Sequence, residues 1–445
     1  EDLPKTVVHL HGGHVPADSD GYPEDAYLPG ASLTYDYPNN QDASLLWYHD
    51  HALGITRLNV YMGLAGAYVI RDDHEDSLNL PSGPYEVPLI IMDRTVNPDG
   101  SLSYPSAWRA HVFGDRMLVN GKIWPYFEVD QGKYRFRVLN GCGSRTLTLS
   151  LSNGQSFQVI GSEGGLLEAP TTVTEITLGG GERAELIVDF AGLAAGTEIV
   201  LENSAPAPFP GAPGQGVVPQ VMKFIVTANP GDTDPIPTTL RTIVPLERAD
   251  AVEDRDFVLQ RVAGGCAGSE WLINGMHWDH ITEFPRLETT EVWNFINDST
   301  VSHPMHMHLV FFQVLEYQSF EKVGESFIPT GAPWEPAPQF AGWKDTVMCP
   351  PGTITRVIAR FEDYLGLYPY HCHILEHEDH EMMRQFMSVC TADYATPYGT
   401  LNFFDVLEFL DLFAGQDPRA DITEDGAFNF FDVQAFLQAF STGCQ

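Results

Sequence analysis

Sixteen histidines are distributed unevenly along the chain, and ten of them fall in four tight groups. The groups are His9-Leu10-His11-Gly12, His49-Asp50-His51, His303-Pro304-Met305-His306-Met307-His308, and His371-Cys372-His373 followed by His377. Neutral imidazole is a common metal ligand, and imidazole with thiolate suits copper or zinc. On a β-strand, residues i and i+2 leave the same face. Each His-x-His pair therefore offers two rings to one site. Four pairs give eight rings: His9, His11, His49, His51, His306, His308, His371 and His373. One zinc or copper cannot use eight rings, and a structural zinc site wants only four ligands. A cluster of several metal ions can use them.

Cys372 lies between His371 and His373, so a strand turns it to the opposite face. His303, an odd number of residues before His306, turns away as well. With His377 and a weak axial Met382, these residues form the His2Cys-plus-Met set of a blue copper centre. Strand and side-chain dimensions put the two sites on the order of 10 Å apart. A one-electron port joined to a cluster able to collect four electrons is the chemistry of reducing O2 to water. His14, His74, His111, His277, His280 and His380 have no such partners and read as ordinary surface or core histidines. Met305 and Met307 read as core filling.

The elements that must position these residues are short strands. Residues 7–11, 44–51, 66–71, 87–92, 133–139, 146–151, 185–190, 221–226, 290–296, 309–315, 354–361 and 367–373 are β-branched or aromatic runs separated by turn residues. This pattern predicts all-β sandwiches. Breaks rich in Pro, Asp and Ser near 72–86 and 228–238, and a change to helical periodicity near Cys390, divide the chain into 1–75, 76–230, 231–390 and 391–445. The Gly-rich runs 161–165 and 179–183 lack the Lys and the order of a phosphate loop and read as turns. The Pro-rich stretch 328–341 is expected among the loops over the cysteine-bound metal, where substrate would be selected.

The chain has 445 residues and a net charge of −36, which excludes a grip on nucleic acid or an anionic membrane. No apolar run is long enough to span a bilayer. Besides Cys372 there are five cysteines: Cys142, Cys266, Cys349, Cys390 and Cys444. An odd number cannot all pair within the chain. Cys390 and Cys444 bracket the tail and could close it in an oxidising compartment, whether secreted, periplasmic or at the cell surface.

With these residues in view, the chain resembles the three-domain bacterial multicopper oxidases, in the branch of spore-coat laccases and bilirubin oxidases. The stretches that carry the resemblance are HLHGGHVPADSDGYPE, LLWYHDHALGITRLNVYMGLAGAYVI, LVNGKIWPYFEVDQGKYRFRVLNG, GWKDTV and HCHILEHEDHEMMR, spread from residue 7 to about 388. The resemblance implies three cupredoxin-like Greek-key sandwiches. It implies a type 2 copper on His9 and His306, and a type 3 pair on His11, His49, His51, His308, His371 and His373. The type 1 copper falls on His303, Cys372, His377 and Met382. It also implies that Asp20 and Glu378 help move protons, a role that suits Glu378 by its position next to His377. Phenols, aromatic amines or tetrapyrroles are the implied donors. Mn or Cu ions are a second class of substrate, and a surface-attached copper-binding electron-transfer scaffold is the non-enzyme alternative. In the family the HLHGG motif lies well inside the first sandwich, so that sandwich is expected here without its opening strands and with an exposed sheet edge.

The tail carries an internal repeat, NFFDVLEFLDLF at 402–413 and NFFDVQAFLQAF at 429–440, each with the spacing of an amphipathic helix. Asp421, Thr423, Asp425, Asn429 and Asp432 occupy positions 1, 3, 5, 9 and 12 of an EF-hand-like calcium loop, with Gly426 at the turn. The first loop, from Asp393, is a residue longer and lacks acids in its middle, so it is expected to bind calcium poorly. The pair resembles a dockerin-like module, which implies Ca2+ and a protein partner.

Overall fold

A computed structural model of the protein describes residues 4–265, 268–423 and 425–443. It is mostly β, with helices concentrated at the C-terminal end. The alternating runs become strands because one face of each meets a core and the other meets solvent or a second sheet.

Residues 8–70 form a three-stranded antiparallel sheet. Ser44–Asp50 lies between Val8–His11 and Ala65–Ile70. The sheet buries Leu10, Leu46 and Ile70 on one side and Leu45 and Trp47 on the other. Tyr48, Met62 and Leu64 remain exposed. Residues 86–230 build an eight-stranded and a five-stranded sheet around Val129, Phe136, Val138, Leu149, Leu186 and Phe224. Residues 251–388 build a six-stranded and a five-stranded sheet around Phe257, Trp293, Phe295, Met305, Phe361 and Cys372. Fully burying each large apolar side chain is worth roughly 1.5–3 kcal/mol, so these two cores supply most of the driving force.

The five-stranded sheet of the third unit runs in the order Ile281–Glu283, Met383–Ser388, Gly366–Cys372, His303–Met307, Thr346–Cys349. It thus sets two of the histidine groups on adjacent strands.

Two local expectations change. The strand expected at 309–315 begins only at Phe312, because Leu309 takes φ +70° and turns the chain directly after His308. The Pro-rich stretch begins as an edge strand rather than a loop. Ser326–Trp334 pairs at the sheet edge with Phe312–Val323, and Phe340 packs against the core of the second unit.

The tail repeats form helices Phe403–Gly415 and Phe430–Thr442. Asn402 and Asn429 cap them, and Asp405 and Asp432 complete capping boxes. The helices meet through stacked Phe409 and Phe436, with centroids 4.1 Å apart. The tail docks on the third unit. Arg286 lies over the Tyr394 ring at 4.1 Å and donates to the Arg419 carbonyl, and Phe284 stacks on Tyr398. Cys142 and Cys349 are buried free thiols. Cys390 is disulfide-bonded. Cys444, its expected partner, and Cys266 lie outside the described residues. Among the described residues no helix is long and apolar enough to cross a membrane.

Candidate metal centres

Strand register brings the histidines together. In the first unit His9 pairs directly with His49, and in the third His306 pairs with His371 while Met305 faces Cys372. Residues paired across an antiparallel ladder share a face. The two faces meet at the seam between the first and third units, where all eight rings of the His-x-His pairs are fully buried. His51 Nε2 lies 3.1 Å from His371 Nε2, which lies 3.2 Å from His308 Nε2. On the other side His11 Nδ1 faces His49 Nε2 at 3.4 Å, with the His373 ring 5.0 Å from that of His11.

The opposite ring nitrogens are anchored. His9 Nδ1 donates to the Asp20 carbonyl at 2.7 Å, His49 Nδ1 to the Asp50 carbonyl at 2.8 Å, and His306 Nδ1 to the Asp345 carbonyl at 2.8 Å. His308 Nδ1 meets Asp20 Oδ2 at 2.7 Å. This fixes the tautomers and leaves the inward nitrogens as lone pairs.

The second group forms behind Cys372. His303 Nδ1 lies 3.4 Å and His377 Nδ1 3.8 Å from Cys372 Sγ. Met382 is bound in place by its backbone, which accepts from Cys372 N and donates to the His377 carbonyl. All four side chains are buried.

Both groups have the chemistry of metal sites. Lone pairs that face one another at 3.1–3.4 Å repel unless a proton or a cation lies between them. His9 Nε2, His306 Nε2 and both nitrogens of His373 are buried with no hydrogen-bond partner. Burial also holds His11, His49, His51, His306, His308, His373 and His377 well below the ordinary imidazole range, and each crowded ring lowers its neighbours further. His303 is held at about 3 by burial and by His111 nearby. These rings are neutral, as ligands must be. Burial pushes the Cys372 thiol up, and coordination to a cation is what makes such a thiol a thiolate.

Three sequence profiles of the family described as multicopper oxidase match residues 3–75, 96–197 and 253–390. A laccase of Bacillus subtilis is 42% identical over 412 residues, covering 85% of this chain and 79% of its own. A bilirubin oxidase of Albifimbria verrucaria is 35% identical, covering 91% of this chain and 70% of its own. The crystal structure of the McoA multicopper oxidase of Aquifex aeolicus superimposes with a TM-score of 0.75 at 31% identity, over 86% of this chain and 84% of that one.

The chain belongs to the multicopper oxidase family. This multicopper oxidase is laccase-like, and its activity is the oxidation of a reducing substrate coupled to reduction of O2.

Several residues of the oxidase matter in ways their spacing did not signal. His111, expected to be ordinary, packs edge-on against His377 with centroids 4.8 Å apart. Trp271 stacks on His377 at 4.1 Å, and His380 stacks on Trp108. Trp108 Nε1 in turn donates to the Glu376 carbonyl. His111, Trp271 and Trp108 lie in none of the motifs. Glu378 lies 3.6 Å from His51 Nδ1 and 3.1 Å from His371 Nδ1. It also lines a cleft of about 360 Å3 with Glu24, Trp278, Asp279 and Asp379. In the tail, Asp421 accepts from Gly426 N, and Asp432 accepts from Thr423 and Asn429. Asp425 accepts from Ala427 N.

Proposed function

We propose that the enzyme removes single electrons from phenols, aromatic amines or tetrapyrroles at a type 1 copper on His303, Cys372, His377 and Met382. Four electrons, gathered one at a time, join O2 and four protons to give two waters. The observation that carries this reading is that His371 and His373 face the imidazole cluster while Cys372, between them, faces His303 and His377. The names of the relatives as laccase and bilirubin oxidase support the donor class. The sequence also has no Met-rich insert suited to cuprous ions. We assign the type 2 copper to His9 and His306. The type 3 pair falls on His51, His308 and His371 for one ion and on His11, His49 and His373 for the other, giving four coppers per chain.

Bound copper supplies one-electron redox chemistry at the cysteine site and dioxygen reduction at the histidine cluster. The chain's own residues do the rest. Asp20 holds His9 and His308 in place through its carbonyl and carboxylate. The Glu378 carboxylate borders the cluster, 3.1 Å from His371 Nδ1, and opens on the cleft, so it carries protons from solvent to the cluster. The sheets of residues 1–75, 76–230 and 231–390 correspond to three cupredoxin domains.

The tail 391–445 is a dockerin-like attachment module. Ca2+ at Asp421, Thr423, Asp425, Asn429 and Asp432 fits the unpartnered, buried Asp421 Oδ1. Phe403, Phe404, Phe430 and Phe431 stand exposed at equivalent positions of the two helices, which suits an apolar protein partner. The disulfide at Cys390 suits a secreted, periplasmic or cell-surface location.

Metal content, the visible spectrum and oxygen uptake with a phenol test the assignment together. About four coppers, an intense thiolate-to-copper band and phenol-dependent oxygen uptake are expected. Blue colour without oxygen uptake would leave only an electron-transfer scaffold.

A further inference from the structure

The second unit contributes no ligand to either metal group, yet one of its side chains reaches the seam where the first and third units meet. Arg183, on the strand Arg183–Asp189, is fully buried. Its guanidinium donates from Nη1 to Asp345 Oδ1 at 2.7 Å and from Nη2 to Asp345 Oδ2 at 2.6 Å, a bidentate pair. Nη1 also donates to the Gly181 carbonyl at 3.1 Å, and Nε donates to the Leu45 carbonyl at 3.0 Å. Leu45 is on the strand that carries His49, so one side chain ties all three units together.

Asp345 passes this constraint to two histidines. Its Oδ1 lies 3.1 Å from His11 Nε2, and its backbone carbonyl accepts from His306 Nδ1 at 2.8 Å. Thr346 Oγ1 donates to Asp345 Oδ1 at 2.8 Å and lies 3.1 Å from His11 Nε2. The bond at Nε2 places the proton of His11 there and leaves Nδ1 as the lone pair facing His49. The packing has no slack. A Cβ on Gly12, whose φ is +83°, would lie 2.6 Å from Asp345 Oδ2 and 2.7 Å from Arg183 Nη2. Only glycine lets the His9-Leu10-His11 strand turn away at this point.

We infer that Arg183 is a positioning residue for the histidine cluster, setting the ring orientation and tautomer of His11 and the place of His306 through the two oxygens and the carbonyl of Asp345. A planar fork holds a carboxylate in one orientation, which a lysine ammonium cannot do. An outer partner of this kind typically governs metal affinity by 10–100-fold. The inference rests on the copper assignment proposed above.

The test compares the wild-type holoenzyme with Arg183→Lys, Asp345→Asn, the double variant and Arg384→Lys. Arg384 makes an equally buried ion pair with Glu283 at 3.2 Å and bonds to none of the cluster histidines, so it reports a merely structural loss. Copper retained against a graded chelator, the type 2 signal in electron paramagnetic resonance and the blue band are read on each. Arg183→Lys is expected to keep the blue band, shift the type 2 signal and weaken retention at the histidine cluster by about 10–100-fold. Asp345→Asn should do the same, and the double variant should lose no more than the worse single one. Arg384→Lys should lower the thermal midpoint and leave both signals alone. Unchanged type 2 signal and retention in both single variants, or parallel loss of the blue band and the type 2 signal, would overturn the inference. Should Arg183→Lys not fold, Asp345→Asn decides by the same criteria. Wild-type protein without a type 2 signal would instead sink the copper assignment itself.

Discussion

Gly181 sits in the turn before Arg183, with φ +82°, and presses its backbone against the cluster. A Cβ there would lie 2.8 Å from His373 Cδ2, 3.0 Å from His373 Cγ and 3.1 Å from His11 Cε1. Gly181→Ala therefore carries two penalties. The left-handed backbone costs about 1–2 kcal/mol for a residue with a Cβ. Overpacking against two rings that are themselves hydrogen-bonded or walled in adds about 1–3 kcal/mol. Gly192 separates the two, since its φ is +75° and a Cβ there would meet nothing within 4 Å. Gly192→Ala should lose only the backbone share, about 1–2 kcal/mol, and keep its full copper complement. Gly181→Ala should lose about 2–5 kcal/mol in all, and shed copper from the histidine cluster before the cysteine site. Equilibrium unfolding gives the energies, and copper analysis with the type 2 and blue signals gives the order of loss. Equal destabilisation of the two variants with unchanged copper would refute the claim that this glycine exists to make room for His373 and His11.

Glu378→Gln keeps the shape beside His51 and His371 but removes the proposed proton carrier. Turnover under oxygen should fall by about 10²–10⁴-fold while the blue band and anaerobic reduction by the donor stay as in wild type; slowed reduction by the donor would contradict this role. In the tail, burial first and Asp405 beside it raise Asp393 to about 6, so the folded chain holds a proton there that the unfolded chain releases near 4. Stability contributed by this residue is present below that lower value and is lost as pH rises to about 6. Asp393→Asn should therefore raise the thermal midpoint of calcium-free protein at pH 7 but not at pH 4, and equal midpoints at pH 7 would refute it.

The His-x-His spacing made the cluster legible because a two-residue period on a strand dictates a shared face, and the odd offsets of Cys372 and His303 dictate the opposite one. The tail helices were legible for a similar reason, from the helical spacing of their apolar residues, while the Asn402 and Asn429 caps emerged only with the structure. What escaped was everything set by non-local packing. His111 and Trp271 lie against His377 from segments more than a hundred residues away, with no pattern of their own. The run 179–183 does form a turn, as its glycines suggest, but its approach to His373 depends on how the second unit sits against the third. The Pro-rich stretch misled because proline-rich composition suits both a loop and the edge strand it becomes, and only pairing with Phe312–Val323 decides between them.

The histidines that meet at the seam lie far apart in sequence, His9 and His11 on one side and His371 and His373 on the other. A nascent polypeptide can finish its middle sandwich, and even bury Arg183's strand, long before the last of these rings emerges. The histidine cluster thus forms only after residue 373 has been made and the units have docked, through contacts of very high sequence separation that close late. Interrupted or misassembled chains therefore hold scattered imidazoles rather than an assembled cluster.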